Sequence, residues 1–408
     1  MGETASKIEP SESANQADFT ALDTALVRGG PESLLADLVG KLRAERRYHE
    51  LFDALLLDAR RRLGLEIVLT APLDELPEPV RGQVEQAYLD ACREVGALLL
   101  DAGELRSAWT FLRPLGDKSL VASGLAKFPV SEDNVEEVIE IALYEAVAPA
   151  LGFGLVLEHF GTCNAISAFD AAISPRPRAE RQEPAAMLVR RLHNELVEGL
   201  STDIARREGT RISERSLPRL MEDREWLFLN NNYHIDTTHL ASTIRFARCL
   251  DDPTALRLAL ELTEYGRRLS RQFQFAGDEP WADLYPSHAL FFQALLGENV
   301  DQALAYFRER AEAAEENEPA AAETYVGLLA RLGRPRDAVE AAATLLRTGY
   351  RATREAPTLL ELSCLAGDYR HALAAARERN DPVSYATALL ARAAEGAGGN
   401  RPKAATEP

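Results

Sequence analysis

Leu365-Ala366-Gly367-Asp368-Tyr369-Arg370-His371-Ala372 is the stretch whose reading decides the fold. It closes a mostly apolar run, puts glycine where that run stops, and reaches a small residue at Ala372. Glycine ends a helix there because it takes the left-handed conformation without a Cβ clash. Alanine then lets a second helix lie close against the first. The same layout recurs at Ala102–Ala108 and Leu332–Ala338, and with one extra residue at Leu296–Ala303. Ala303 and Ala338 are 35 residues apart, and Ala338 and Ala372 are 34 apart. Outside these turns, apolar residues recur at three- and four-residue steps, the rhythm of antiparallel helix pairs.

A turn reading Gly-Asp-Tyr-x-x-Ala at a spacing near 34 resembles the tetratricopeptide repeat (TPR). Gly367, Asp368, Tyr369 and Ala372 carry the match, and Gly96 falls where that family keeps a small residue on its first helix. Val326 and Leu360 depart from the pattern at the same position, and the closing proline is missing. The resemblance covers roughly 285–380 and 83–116, with weaker hairpins at 34–62, 149–173 and 238–271. An unrelated α-α array of similar period is the other reading of this rhythm. The resemblance implies a TPR-like superhelix whose first helices line a concave groove for a protein or an extended peptide.

Composition agrees with an all-α chain. Ala, Leu, Glu and Arg dominate, aromatics are 7%, and long β-branched runs are nearly absent, so sheets have little to form from. The chain carries 46 basic and 64 acidic residues, a formal charge of −18. A polyanion would be repelled unless a basic patch reversed that surface, so nucleic acid is not expected as a partner. Cys92, Cys163, Cys249 and Cys364 lie far apart without CxxC spacing and read as single buried thiols in a reducing compartment. Met1–Gln16 has no apolar core like that of a signal peptide. No stretch approaches a membrane span. The expected location is cytoplasmic, away from membranes.

The chain divides by rhythm. Residues 1–16 and 396–408 read as disordered tails, 17–173 as N-terminal hairpins and 287–395 as C-terminal TPR-like repeats. Between them, 174–286 reads as an irregular central insertion. It begins with Ser174-Pro175-Arg176-Pro177-Arg178 as a loop, followed by a long helix from Pro184 to Glu208 with the proline in its first turn. Gly209–Pro218 is irregular, Arg219–Leu229 returns to helical text, and Asn230–Asn232 is a turn.

Chemistry is sparse. There is no GxxxxGK[ST], GxSxG or HExxH, and Gly152-Phe153-Gly154 runs on into apolar helical text without completing GxGxxG. The histidines are the exception: five of seven fall between His159 and His288. His159, His193, His234, Asp236 and His239 form a candidate ligand set for a divalent transition metal such as zinc or iron, to which imidazole and carboxylate are suited. Glu195 or Glu198 and Cys163 could complete the shell. Each residue also has an ordinary reading: Asp236 as the N-cap of a helix starting near Thr237, His159 and Cys163 as residues flanking a turn at Gly161, and His193 packed or solvated on a long helix. Aromatic residues gather in the same region, from Trp226 to Phe292.

Two readings of function follow. One is a non-catalytic protein- or peptide-binding scaffold. The other is a metal- or small-molecule-binding protein, with metal-dependent hydrolysis within its reach, using the central His/Asp/Glu cluster.

Overall fold

The computed structural model describes residues 12–68, 76–210, 213–314, 318–346 and 356–397. It is all-helical, with no strand among the described residues beyond one isolated bridge between Ala276 and Asp283. The chain forms two compact units, 1–152 and 153–408, so from Phe153 onward the helices expected to close the N-terminal set belong to the second unit.

The first unit holds α1 (Glu12–Ala44), α2 (Tyr48–Arg62), α3 (Val80–Asp101), α4 (Leu105–Leu112), α5 (Ser119–Leu125) and α6 (Val135–Ile139). α1 is broken at Gly30, where φ is 71° and ψ is −165°, just ahead of Pro31. It begins at Glu12, inside the stretch expected as a tail through Gln16; residues 1–11 and 398–408 lie outside the described residues. α3 and α4 form the clearest hairpin of this unit. Gly103, at φ 82°, turns the chain between them. Ala108 is fully buried, and Gly96 lies so close to Leu112 that a Cβ there would collide with the leucine side chain. The small residues are therefore small because two helix axes come close.

The boundary between the units falls within α7 (Pro149–His159). After it come α8 (Gly161–Ala168), α9 (Arg178–Glu208), α10 (Leu217–Met221), α11 (Thr237–Phe246), α12 (Pro253–Arg268), α13 (Leu284–Leu295), α14 (Val300–Ala313), α15 (Ala320–Arg331), α16 (Pro335–Leu345), α17 (Leu359–Ala366), α18 (Arg370–Glu378) and α19 (Pro382–Ala397). α13 to α18 run as consecutive packed pairs, and each turns at a left-handed glycine: Gly297, Gly333 and Gly367, with φ of 79°, 70° and 66°. Ala303 and Ala338 are fully buried and Ala372 nearly so. These pairs are compatible with a helical repeat. The expected pair at 149–173 turns at Gly161, but α8 packs on α9 and α11.

α9 is the spine of the second unit. Leu188, Leu192, Leu196, Leu200 and Ile204 recur along one face and are wholly buried against α11, α12 and the residues after α11. Each such burial stabilises by about 1.5–3 kcal/mol. The helix starts at Arg178, ahead of the Pro184 expected to open it. Pro184 lacks an N–H and breaks one backbone bond, but the turn before it is held from outside. Arg178 Nη1 donates to both Asp251 carboxylate oxygens, at 2.6 and 2.5 Å, and Gln182 exchanges bonds with Asp251. Long-range anchoring outweighs the proline's local effect. The helix expected at Arg219–Leu229 is also shorter than its text: α10 stops at Met221, and Leu229 is extended before left-handed Asn230.

Candidate functional site

The polar residues of the central region meet along a seam between α9 and α12. α12 contributes Glu261 and Tyr265, four residues apart and therefore on one helical face. α9 contributes His193 and Asp203. Two loops close over the seam, one through Ser216 and one through His234. Gly199 of α9 permits the second approach, since a Cβ there would stand 3.1 Å from the His234 carbonyl oxygen.

Glu261 is the centre of the first knot. Its Oε2 accepts from His193 Nε2 at 2.9 Å and from the Leu217 backbone N–H at 2.9 Å, and its Oε1 accepts from Ser216 Oγ at 3.4 Å. Burial works against this carboxylate, but the bonds from His193 and Leu217 outweigh it and hold its pKa below the ordinary value. Nearby Glu264 is raised instead, by burial and by the Glu261 charge. Serine, histidine and glutamate are the ingredients of a nucleophilic triad, but their order is wrong. In a working triad the imidazole stands between hydroxyl and carboxylate, ready to take the proton. Here the carboxylate stands between the other two, and its lowered pKa makes it a poor base. Beside it opens a surface cavity of about 390 Å³, lined by Arg190, Asn194 and Arg215 as well as the knot itself.

His234 is the centre of the second knot. Tyr265 Oη accepts the His234 backbone N–H at 2.8 Å, so its own O–H points to His234 Nδ1 at 3.2 Å. That leaves Nε2–H to face Asp203 Oδ2 at 3.2 Å. Burial pushes the imidazole pKa down against the pull of Asp203, and burial pushes the Tyr265 phenol up. The chain Tyr265–His234–Asp203 therefore holds its protons in place, and the His234 side chain is 3% exposed. It pins a loop to two helices.

The remaining expected ligands go elsewhere. Asp236 is the N-cap of α11: its side chain accepts from the backbone N–H groups of Thr238 and His239, and the bond from the Thr238 hydroxyl, helped by these two, lowers its pKa. His239 sits half-buried in the first turn of that helix. His159 is exposed at the end of α7, and Cys163 is exposed beyond the Gly161 turn, as is Cys364; only Cys92 and Cys249 are the buried thiols expected. Glu195 accepts from Arg191 at 2.5 Å and from Thr162 at 3.3 Å. Among the described residues no group of three or more His, Cys, Asp or Glu is placed to hold a metal ion. The set His159, His193, His234, Asp236 and His239 is thus not assembled into one shell. The histidines draw their hydrogen bonds from different partners: His193 from Glu261, and His234 from Tyr265 and Asp203.

Asp203, Ser216, Glu261 and Tyr265 were not legible as partners in the sequence. The one available signal was Glu261 and Tyr265 at helical spacing on an otherwise apolar stripe.

Two grooves lie on the helical pairs. In the first unit, α2 and α3 enclose about 650 Å³ between apolar residues such as Leu56, Leu63 and Val84, with Tyr88 at the side. In the second unit, α14, α15 and α16 enclose about 490 Å³. Its floor is Leu304, Leu329 and Tyr325, and its walls carry Arg308 and Glu312 on one side and Arg334, Asp337 and Glu340 on the other.

No helix among the described residues is long and apolar enough to cross a membrane. Comparison with protein-family models, with curated proteins and with solved structures gives no match.

Proposed function

We propose that this protein is a non-catalytic scaffold of TPR-like hairpins that binds an extended peptide or a helix of a protein partner. The observation that carries this reading is the groove over α15. It combines an apolar floor with charged walls from two consecutive hairpins, the combination that gives a bound segment both burial and register. It lies between the second helices, α14 and α16, a different surface from the first-helix side implied by the repeat resemblance. The polar knots support the same reading, because their acids and imidazoles are engaged in holding loops to α9 and α12.

The test is selection of a displayed random peptide library on the full chain, followed by measurement against an Ala305→Arg variant. Ala305 lines the groove and is exposed, so the arginine fills the groove without entering the core. Selected sequences are expected to lose affinity by roughly tenfold or more on the variant. If no sequence is enriched, or if those enriched bind the variant equally well, the groove reading is wrong.

A further inference from the structure

Two segments of the central insertion, 221–233 and 267–275, meet at the surface of the second unit. Arg268 ties them by donating to the Met221 carbonyl at 2.9 Å and pairing with Glu225 at 3.8 Å. Tyr233 and Phe273 join them again, edge to face, with ring centroids 5.0 Å apart. On this joined surface Leu229 is 59% exposed, Tyr233 50% and Phe275 38%.

These apolar side chains are not loose ends. Asn230 and Asn231 are both left-handed, with φ of 58° and 61°, a conformation asparagine tolerates better than most residues. The turn is closed by Asn232, whose N–H donates to the Leu229 carbonyl at 3.2 Å and whose side chain donates to the Leu227 carbonyl at 3.1 Å. Next to it, His234 is fastened by Tyr265 and Asp203. A well-anchored turn thus presents a leucine and a tyrosine to water, where burial of each would be favourable. Apolar side chains fixed outward in this way mark a contact surface.

Arg267 and Arg271 are exposed; neither forms a side-chain ion pair among the described residues, and Arg267 faces the half-buried Glu264 carboxylate only at longer range. They lie on the same segment as Phe273 and Phe275 and give it positive charge in a chain of formal charge −18. Their complement is acidic. Glu222 and Asp223 share the first segment and would repel a continuous polyanion, whereas a peptide can place a few carboxylates at the arginines and apolar residues elsewhere.

We propose that the surface formed by Leu229, Tyr233, Phe273 and Phe275, flanked by Arg267 and Arg271, docks an acidic segment of a partner protein that carries interspersed apolar residues. This surface is separate from the α14–α16 groove and stands or falls independently of it.

The probe is a displayed library of peptides rich in Glu and Asp with scattered Leu, Phe and Trp, selected on the full chain. A matched library with Lys in place of the acids is the control. The acidic library is expected to yield binders and the lysine library none that depend on this surface. Affinity should fall by roughly tenfold or more for Tyr233→Ala and for Arg271→Glu, and be unchanged for Ala305→Arg. Arg271 is exposed, so Arg271→Glu keeps the test valid if Tyr233→Ala disturbs the turn; circular dichroism and melting verify both variants. Three outcomes overturn the proposal. Acidic binders absent or insensitive to both variants would show that the surface is not a docking site for such peptides. Single-stranded oligonucleotide binding lost in Arg271→Glu would assign it to nucleic acid. A concentration-dependent dimer abolished by Tyr233→Ala would assign it to a second copy of the chain.

Discussion

Arg331 Nη2 donates to Asp251 Oδ1 at 2.9 Å across eighty residues of sequence. The same guanidinium donates from Nη1 to the Arg248 carbonyl at 2.6 Å, and its Nη2 also reaches the Leu250 carbonyl. Asp251 in turn receives Arg178 and Gln182 from the start of α9. One carboxylate therefore ties α9, the chain after α11 and α15 together. The Arg331 side chain is 12% exposed but that of Asp251 is 46%, so water weakens the charge term while the carbonyl bonds stay sheltered.

Replacing Arg331 by Ala should destabilise the second unit by about 1–3 kcal/mol, because it leaves two half-buried carbonyls without a donor. Arg331→Lys should recover little, since one ammonium cannot match the fork that reaches all three acceptors. Urea titration followed by circular dichroism checks both. A lysine variant as stable as wild type would show that charge alone matters here.

Ala338 and Gly96 test close helix approach in the two units separately. Ala338→Leu should overpack the α15–α16 contact and cost about 1–3 kcal/mol. In Gly96→Ala the new Cβ meets Leu112, so the first unit should lose stability although alanine favours a helix intrinsically. Melting curves that match wild type for either variant would contradict the packing described.

His288 sets an acid limit. It is fully buried on α13, its Nδ1–H donates to the Leu284 carbonyl at 2.6 Å, and Trp281 covers its ring at a centroid distance of 4.2 Å. Burial pushes its pKa down to about 3, and the positive charge of Arg248 adds to this. The folded state thus keeps it neutral while the unfolded chain takes up a proton near its ordinary value of 6.5. Its contribution to stability is complete above that value and lost as pH falls toward the folded pKa, at about 1.4 kcal/mol per pH unit. Denaturant midpoints between pH 7 and 4 should fall more steeply for wild type than for His288→Phe. Equal slopes would mean that the imidazole is not held neutral.

Zinc should have little effect. With His193 engaged by Glu261, His234 by Tyr265 and Asp203, and Asp236 capping α11, binding would require dismantling bonds that hold the fold. Stoichiometric zinc or added chelator is expected to leave the melting temperature of tag-free protein unchanged. A zinc-dependent rise of several degrees would reveal a shell that these positions do not form at rest.

What the sequence determined by itself was local. The glycines at 103, 333 and 367 are left-handed and the alanines at 108, 338 and 372 are buried, because a turn and the close approach beside it are written within a few residues. Asp236 as an N-cap was legible for the same reason. Tertiary structure decided which polar groups meet. His193 and Glu261 are 68 residues apart, His234 and Tyr265 are 31 apart, and Arg331 reaches carbonyls more than eighty residues away. Helical periodicity tells which face turns inward but not which residue it will face there. The start of α9 is the clearest case: the text placed Pro184 at the first turn, yet Asp251 holds Arg178 and Gln182 from across the unit and extends the helix past the proline. Local rules gave way where a distant partner supplied the bonds that the local backbone could not.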